Sequence, residues 1–271
     1  MRIQLQMNRV QVGDLEMAVL DRGAGPVVLL AHGFPLDHRM WTPTVEALAD
    51  DCRLIAPDLR GFGATGVTPG VVTMEQMADD LAALLDMLEV DQPVHFCGLS
   101  MGGYIGWQFW RKHRDRLRSL ILCDTRAAAD SDEAAAGRRK MAAHVLAHGT
   151  SAIADAMLPK LFSQASRAGQ SGAIAAVRTM IAEANPIGIA AAQHGMAARP
   201  DMTQQLVQIA VPALLIVGDE DQITPVTEMR AMAAAMPQSE LVVVPNAGHM
   251  APLEQPEVVN AAIRRFVLNR S

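Results

Sequence analysis

Ser100 lies in Gly98-Leu99-Ser100-Met101-Gly102, a frame of small residues around a hydroxyl. A serine hydroxyl attacks a carbonyl carbon only when it is exposed and has a base beside it. Glycines two residues before and after let a strand turn sharply into a helix, which lifts the hydroxyl above the sheet edge. At average residue usage roughly 0.1 such patterns arise by chance in a chain of this length, so the flanks must carry the reading. They do: Val94-His95-Phe96-Cys97-Gly98 is an apolar strand, and Gly103-Tyr104-Ile105-Gly106-Trp107 opens a helix.

A base is available in Asn246-Ala247-Gly248-His249-Met250, directly after the last strand-like run. An acid must then orient and stabilise that imidazole. Gly218-Asp219-Glu220-Asp221 follows the strand before and offers three carboxylates. Asp221 is the choice, because the loop then runs through Gln222-Ile223-Thr224-Pro225 into a helix. Asp219 and Glu220 stay as alternatives. So does Asp124, at the end of the fourth strand of the parallel run, which otherwise serves as a hinge or helix cap. The chain order Ser, Asp, His is one known for a triad. Backbone donors for an oxyanion are expected at Met101, directly after the serine, and at Phe34. Pro35 has no N–H to offer. His32 is expected to brace this loop rather than react.

The elements that must position these groups follow a regular rhythm. Apolar strands at residues 26–33, 52–58, 94–98 and 117–123 alternate with helices at 40–49, 74–88 and 103–114. Alternation of this kind predicts an α/β fold, a mostly parallel sheet of about eight strands flanked by helices. Residues 10–20 read as a hairpin around Gly13-Asp14, so the start is antiparallel. Between 125 and 208 the rhythm is lost. That stretch is rich in Ala, Met and Gln, with about four short helices divided by Gly149, Pro159, Gly169, Pro186 and Gly188. Strands return at 211–218 and 241–244, with helices at 227–236 and 257–268. The expected organisation is a core of residues 1–124 and 209–271, with residues 125–208 as a helical cap inserted after the sixth strand.

Composition narrows the partners. The net charge is −6, which argues against a nucleic-acid surface. The basic stretch 111–118 also holds Asp115 and reads as a solvated helix end. Cys52, Cys97 and Cys123 are an odd set in or beside apolar strands, so neither a disulfide framework nor a metal cluster is expected. Reduced thiols suit a cytoplasmic location. No apolar run reaches the length of a membrane span, and residues 1–6 lack the apolar core of an export signal. The oligomeric state is open, a homodimer included.

Taken together, His32-Gly33-Phe34-Pro35, Asp58-Leu59-Arg60-Gly61-Phe62-Gly63, the Ser100 turn, Gly218-Asp219-Glu220-Asp221 and Gly248-His249 resemble the α/β-hydrolase superfamily over nearly the whole chain. Within it the chain looks like serine carboxylesterases, cofactor-free perhydrolases and 3-oxoadipate enol-lactonases. The resemblance implies an acyl-enzyme on Ser100 without cofactor or metal, acting on a small ester or lactone. Short-chain or aryl esters are the expected substrates. Enol-lactonase or perhydrolase activity is the alternative, with carbon–carbon hydrolysis or a non-catalytic binding role behind it. The chain departs from the usual enol-lactonase pattern, in which Asn-Ser or His-Ser opens the oxyanion loop. Haloalkane dehalogenases share the architecture but place an aspartate where this chain has Ser100. Trp41, Tyr104, Met141, Met157 and Met196, with Phe34 and Met101, are the candidate lining of the acyl pocket.

Overall fold

The computed structural model describes residues 7–169 and 172–270. Residues 1–6, expected to carry no export signal, lie outside the described residues. The chain opens with the expected hairpin. β1 (Met7–Val12) and β2 (Leu15–Arg22) run antiparallel around Gly13, whose φ of 58° is the left-handed conformation such a turn needs.

The other strands are β3 (Val27–Ala31), β4 (Arg53–Pro57), β5 (Val94–Leu99), β6 (Leu117–Cys123), β7 (Ala213–Gly218) and β8 (Ser239–Val244). They form one eight-stranded sheet in the order β1-β2-β4-β3-β5-β6-β7-β8. β2 pairs antiparallel with β4, and every pairing from β4 to β8 is parallel. β3, β5 and β7 are buried along their whole length, which is why they read as continuous apolar runs rather than alternating ones. Between strands lie α1 (Thr42–Leu48), α2 (Met74–Met87) and α3 (Met101–Lys112). α2 packs on α3. Thr73 caps α2 by accepting from the Gln76 amide at 3.1 Å. From β3 the chain moves outward to β4, then crosses back to β5 on the other side of β3. Ligand crevices in open α/β sheets form at such a reversal, outside the carboxyl ends of the strands.

After β6 come α4 (Asp132–His148), α5 (Ser151–Leu161), α6 (Gln164–Ala168), α7 (Gly172–Glu183) and α8 (Pro186–Ala197), then a 3-10 turn at Thr203–Gln208. The stretch thus holds five α-helices among the described residues, not about four. Gly149, Gly169 and Pro186 do mark helix ends, but Pro159 and Gly188 do not. Pro159 sits in the last turn of α5, where its missing N–H removes one bond close to an end. Gly188 is inside α8 because that helix crosses Gly61: an added Cβ would lie 2.7 Å from the Gly61 carbonyl carbon. α8 also meets the core at Ala191, whose carbonyl accepts from the Val72 amide at 3.1 Å. The fold closes with α9 (Val226–Ala235), the short α10 (Ala251–Glu254) and α11 (Pro256–Leu268), the last packing on α1. All three cysteines are free and buried. Among the described residues no helix is long and apolar enough to cross a membrane.

One buried group makes the fold sensitive to acid. His95 on β5 is fully enclosed, its Nδ1 2.7 Å from Ser119 Oγ on β6, and its Nε2 has no partner. Burial, assisted by Arg118 and Arg270, pushes its pKa down from 6.5 to about 4. Between those values the native state holds fewer protons than the unfolded chain. The stability from this site is therefore complete above pH 6.5 and is lost as pH falls toward 4. The loss at pH 5 is about 2 kcal/mol. His95→Asn keeps a hydrogen-bonding atom near Nδ1 but cannot titrate. Urea unfolding at pH 7 and pH 5 should show a smaller acid loss in this variant than in the parent; equal losses would contradict the assignment.

Candidate active site

Ser100 fills the single step between β5 and α3. Its backbone is left-handed, with φ 54° and ψ −109°, an uncommon state for a residue other than glycine. Three sides hold it there. The Ser100 amide donates to the Cys123 carbonyl at 3.0 Å. Its carbonyl accepts from the Gly103 amide at 2.9 Å and from the Thr125 hydroxyl at 2.8 Å. The flanking glycines are steric necessities. A Cβ at 98 would lie 2.7 Å from the Gly103 nitrogen, and one at 102 would lie 2.8 Å from the Ala31 carbonyl carbon. Held in this way, Ser100 is partly exposed while β5 and α3 as far as Trp110 are buried.

β5 and β6 end level at Leu99 and Cys123, and β7 and β8 run two residues further to Gly218 and Val244, so the loops after them share one sheet edge. His249 comes from the loop after β8 and Asp221 from the loop after β7. His249 Nδ1 lies 2.9 Å from Asp221 Oδ2, and both side chains are almost fully buried. Asp221 Oδ1 accepts from the Ile223 and Thr224 amides at 2.8 and 3.0 Å, and Oδ2 also takes the Thr224 hydroxyl. Burial alone would raise this carboxyl. The His249 charge and hydrogen bond, with the hydrogen bonds from the Thr224 hydroxyl and amide, outweigh it and hold Asp221 below the usual carboxylate range. Nδ1 is committed to the acid, so Nε2 is the imidazole atom left to exchange a proton. Thr224 was not recognised as part of this group from sequence; its position three residues after an aspartate, in an Asx-type turn, was the available signal.

The rival acids are engaged elsewhere. Asp219 accepts from the Ala247 amide at 3.3 Å, and Glu220 from the Gln164 amide at 2.8 Å. Asp124 is fully buried and accepts from the Gly218 amide at 2.9 Å, with Oδ2 unpartnered. Burial, together with the nearby Asp221 charge, raises its carboxyl well above the ordinary range and keeps it neutral. It serves as a backbone brace between β6 and β7.

The loop after β3 lies beside the serine. An added Cβ at Gly33 would stand 2.5 Å from Leu99 Cδ2 and 3.7 Å from Ser100 Cβ. Phe34 follows, joined to Pro35 by a cis peptide bond. No described residue accepts from the Phe34 or Met101 amide. His32 braces this loop. Its Nδ1–H donates to the Gly33 carbonyl at 2.9 Å, and its Nε2 accepts from the Leu59 amide at 3.0 Å. Burial lowers its pKa, partly opposed by the Gly33 carbonyl, so the ring stays neutral and keeps that acceptor. Phe62 stands edge-on to both His32 and Phe34, at 5.4 and 6.0 Å between centroids. Further out, Asp58 accepts from the His38 amide and ring at 2.9 and 2.6 Å. Asp37, His38 and Asp58 bring three metal-capable donor atoms within 4.8 Å of one another. Asp58 already accepts from His38, and Asp37 is paired with Arg39, so the carboxylates of this cluster are engaged within the protein.

The five pocket candidates do not converge on one cavity. Trp41 is enclosed at 0% exposure in the core, out of reach of a ligand. Met141 lines a groove between α4 and α5 with Lys140, His144 and Ile153, and its sulfur takes the Gln193 side chain. Met196 is buried against Arg138, its sulfur 3.4 Å from Nη1. Met157 is half-buried on α5. Tyr104, one turn after Ser100, packs under the Arg199 guanidinium at 4.2 Å, and Arg199 pairs with Asp130 at 2.8 Å. Helical spacing identified apolar faces here but not which of them turns toward Ser100.

A family model of the α/β-hydrolase fold matches residues 26–256, and the chain belongs to that family. It is 26% identical to 3-oxoadipate enol-lactonase 2 of Acinetobacter baylyi over 92% of this chain and 91% of that protein. A malate-bound thermophilic esterase from Thermogutta terrifontis superposes with a TM-score of 0.95 at 47% identity, covering 98% of this chain and all of that one. The enol-lactonase of Burkholderia xenovorans gives 0.89 at 28% identity, covering 96% of this chain and all of that one. The chain is thus a hydrolase of this fold with esterase and enol-lactonase relatives.

His32→Leu removes the acceptor for the Leu59 amide at similar volume. An unsatisfied buried donor costs about 1–3 kcal/mol. Thermal unfolding should show a loss of that size; a parental midpoint would mean the brace carries nothing.

Proposed function

We propose that this protein is a serine esterase that cleaves small carboxylic esters through an acyl-enzyme on Ser100. The observation that carries the reading is the pairing of His249 with an ionised Asp221 on the same sheet edge where Ser100 is held left-handed. His249 Nε2 takes the hydroxyl proton as Ser100 Oγ attacks the ester carbonyl. Asp221 holds the Nδ1–H and stabilises the imidazolium. The Phe34 and Met101 amides receive the oxyanion. His249 then protonates the leaving alcohol, and a water activated by the same nitrogen releases the acid. The helices between residues 125 and 208 act as the cap and shape the acyl site. The 47% identity to an esterase supports ester substrates. Lactones are the second reading, favoured by the two enol-lactonase relatives.

Ser100→Ala should abolish p-nitrophenyl acetate hydrolysis, with kcat down by at least about 10³-fold. Near-parental turnover in that variant would overturn the reading. A companion measurement decides between acids. Asp221→Asn should lower kcat by roughly 10²-fold or more, whereas Asp124→Asn, which replaces a neutral group by a neutral group, should stay within about tenfold. The reverse ranking would reassign the acid to Asp124.

A further inference from the structure

Glu254 has no part in the steps above, yet its side chain joins two pieces of structure that meet at Gly248, next to His249. It ends α10, one turn after His249, and its own amide donates to the Met250 carbonyl at 2.9 Å. Its Oε1 accepts from the Gly248 amide at 2.7 Å, the peptide group next to His249. Its Oε2 accepts from the Ser163 amide at 2.8 Å, at the corner between α5 and α6. One carboxylate therefore holds two backbone donors, one from the histidine loop and one from the helical segment. Charge-assisted bonds of this kind are about twice as strong as neutral ones.

The packing around this carboxylate leaves little slack. Gly248 faces the corner so closely that an added Cβ would lie 2.8 Å from the Ser163 nitrogen and 3.0 Å from the Leu161 carbonyl oxygen. Leu161, Phe162 and Ser163 are all buried there. The other side of the loop rests on the loop after β7: the Ala247 carbonyl accepts from the Glu220 amide at 2.9 Å, and the Glu220 side chain in turn accepts from the Gln164 amide at 2.8 Å. The histidine loop is thus clamped between the sheet edge and the α5–α6 corner.

We propose that Glu254 is a positioning residue that locks the His249 loop to the α5–α6 corner, so that seating of the helical segment sets the orientation of the imidazole. This rests on the reading of His249 as the base. A segment that settles only around a bound acyl group would then complete the catalytic geometry as it closes, and loss of its corner contact would be felt in kcat.

Two substitutions cut the link from opposite sides. Glu254→Gln leaves one acceptor oxygen for two amides. Ser163→Pro deletes the other donor, with φ −59° at Ser163 and an extended Phe162 before it within proline's range; Ser163→Ala, which removes only the α6 cap that Ser163 Oγ gives the Ser166 amide, is its control and should keep parental kcat. With p-nitrophenyl acetate Glu254→Gln and Ser163→Pro should each lose at least about tenfold in kcat with KM changed by less than about twofold. The double variant should be hardly worse than either single one, since both break the same link. Amide hydrogen exchange provides a readout independent of turnover: Gly248 should exchange faster in both variants, although Ser163→Pro lies in another element. The proposal is overturned if Ser163→Pro leaves Gly248 exchange and kcat at parental values, or if the two losses multiply in the double variant. Should the parent protein neither hydrolyse esters nor label at Ser100 with a fluorophosphonate, the esterase reading fails, and the exchange experiment still decides the clamp.

Discussion

The site depends on one backbone constraint: Ser100 must stay left-handed between a buried strand and a buried helix. Such a conformation costs of order 1–3 kcal/mol and persists only where the surroundings over-determine it. Here they do so through the Cys123 carbonyl, the Thr125 hydroxyl and the first turn of α3. Two of these partners come from β6 and its exit. The turn at Ser100 is therefore a property of two neighbouring strands rather than of five consecutive residues. The same crowding explains the glycines at 98 and 102, where a side chain would meet backbone.

From that fixed point the parallel sheet sets the remaining positions. Parallel strands deliver the loops after β3, β7 and β8 to one edge, and β3 and β5 flank the point where the chain reverses direction across the sheet. Bonds within and between these loops then hold them. Asp221 is wrapped by Ile223 and Thr224 of its own loop, while His32 to Leu59 and His38 to Asp58 tie the loop after β3 to the loop after β4. The two buried aspartates at the edge diverge in charge for physical reasons. Asp221 faces a base and backbone donors and stays ionised, while Asp124, enclosed beside it with one donor, is kept neutral. Two anions side by side in a dry site would repel, and the arrangement avoids that.

The helical segment is tied to the core at several close points. Gly188 against Gly61 and Ala191 with Val72 meet backbone to backbone, while the 163–164 corner gives its amides to the Glu254 and Glu220 carboxylates. Backbone contacts of this kind transmit position without depending on large side chains. That suits a chain with only 4% aromatic residues.

Much of the architecture was legible in the sequence because its signals are local. A strand buried on both faces must be apolar throughout, and a strand-to-helix turn at Ser100 must have small neighbours. Ser100, Asp221 and His249 each stand at a strand exit, where such local signals concentrate. The surroundings of an apolar helix face are not legible in this way, because helical periodicity marks which face is buried without saying against what. Trp41 and Met141 carry the same apolar signal, yet one is sealed in the core and the other lines an outer groove. Pro159 and Gly188 carry helix-breaking signals, yet lie within helices, one near an end and one at a backbone crossing. The sequence by itself determined the order of strands and helices and the residue types at the strand ends. Tertiary structure alone decided which carboxylate meets the imidazole, which aspartate is neutral, and which helical corner rests on the histidine loop. Those outcomes turn on distances of a few ångströms between segments far apart in the chain, and local residue patterns hold no information about such distances.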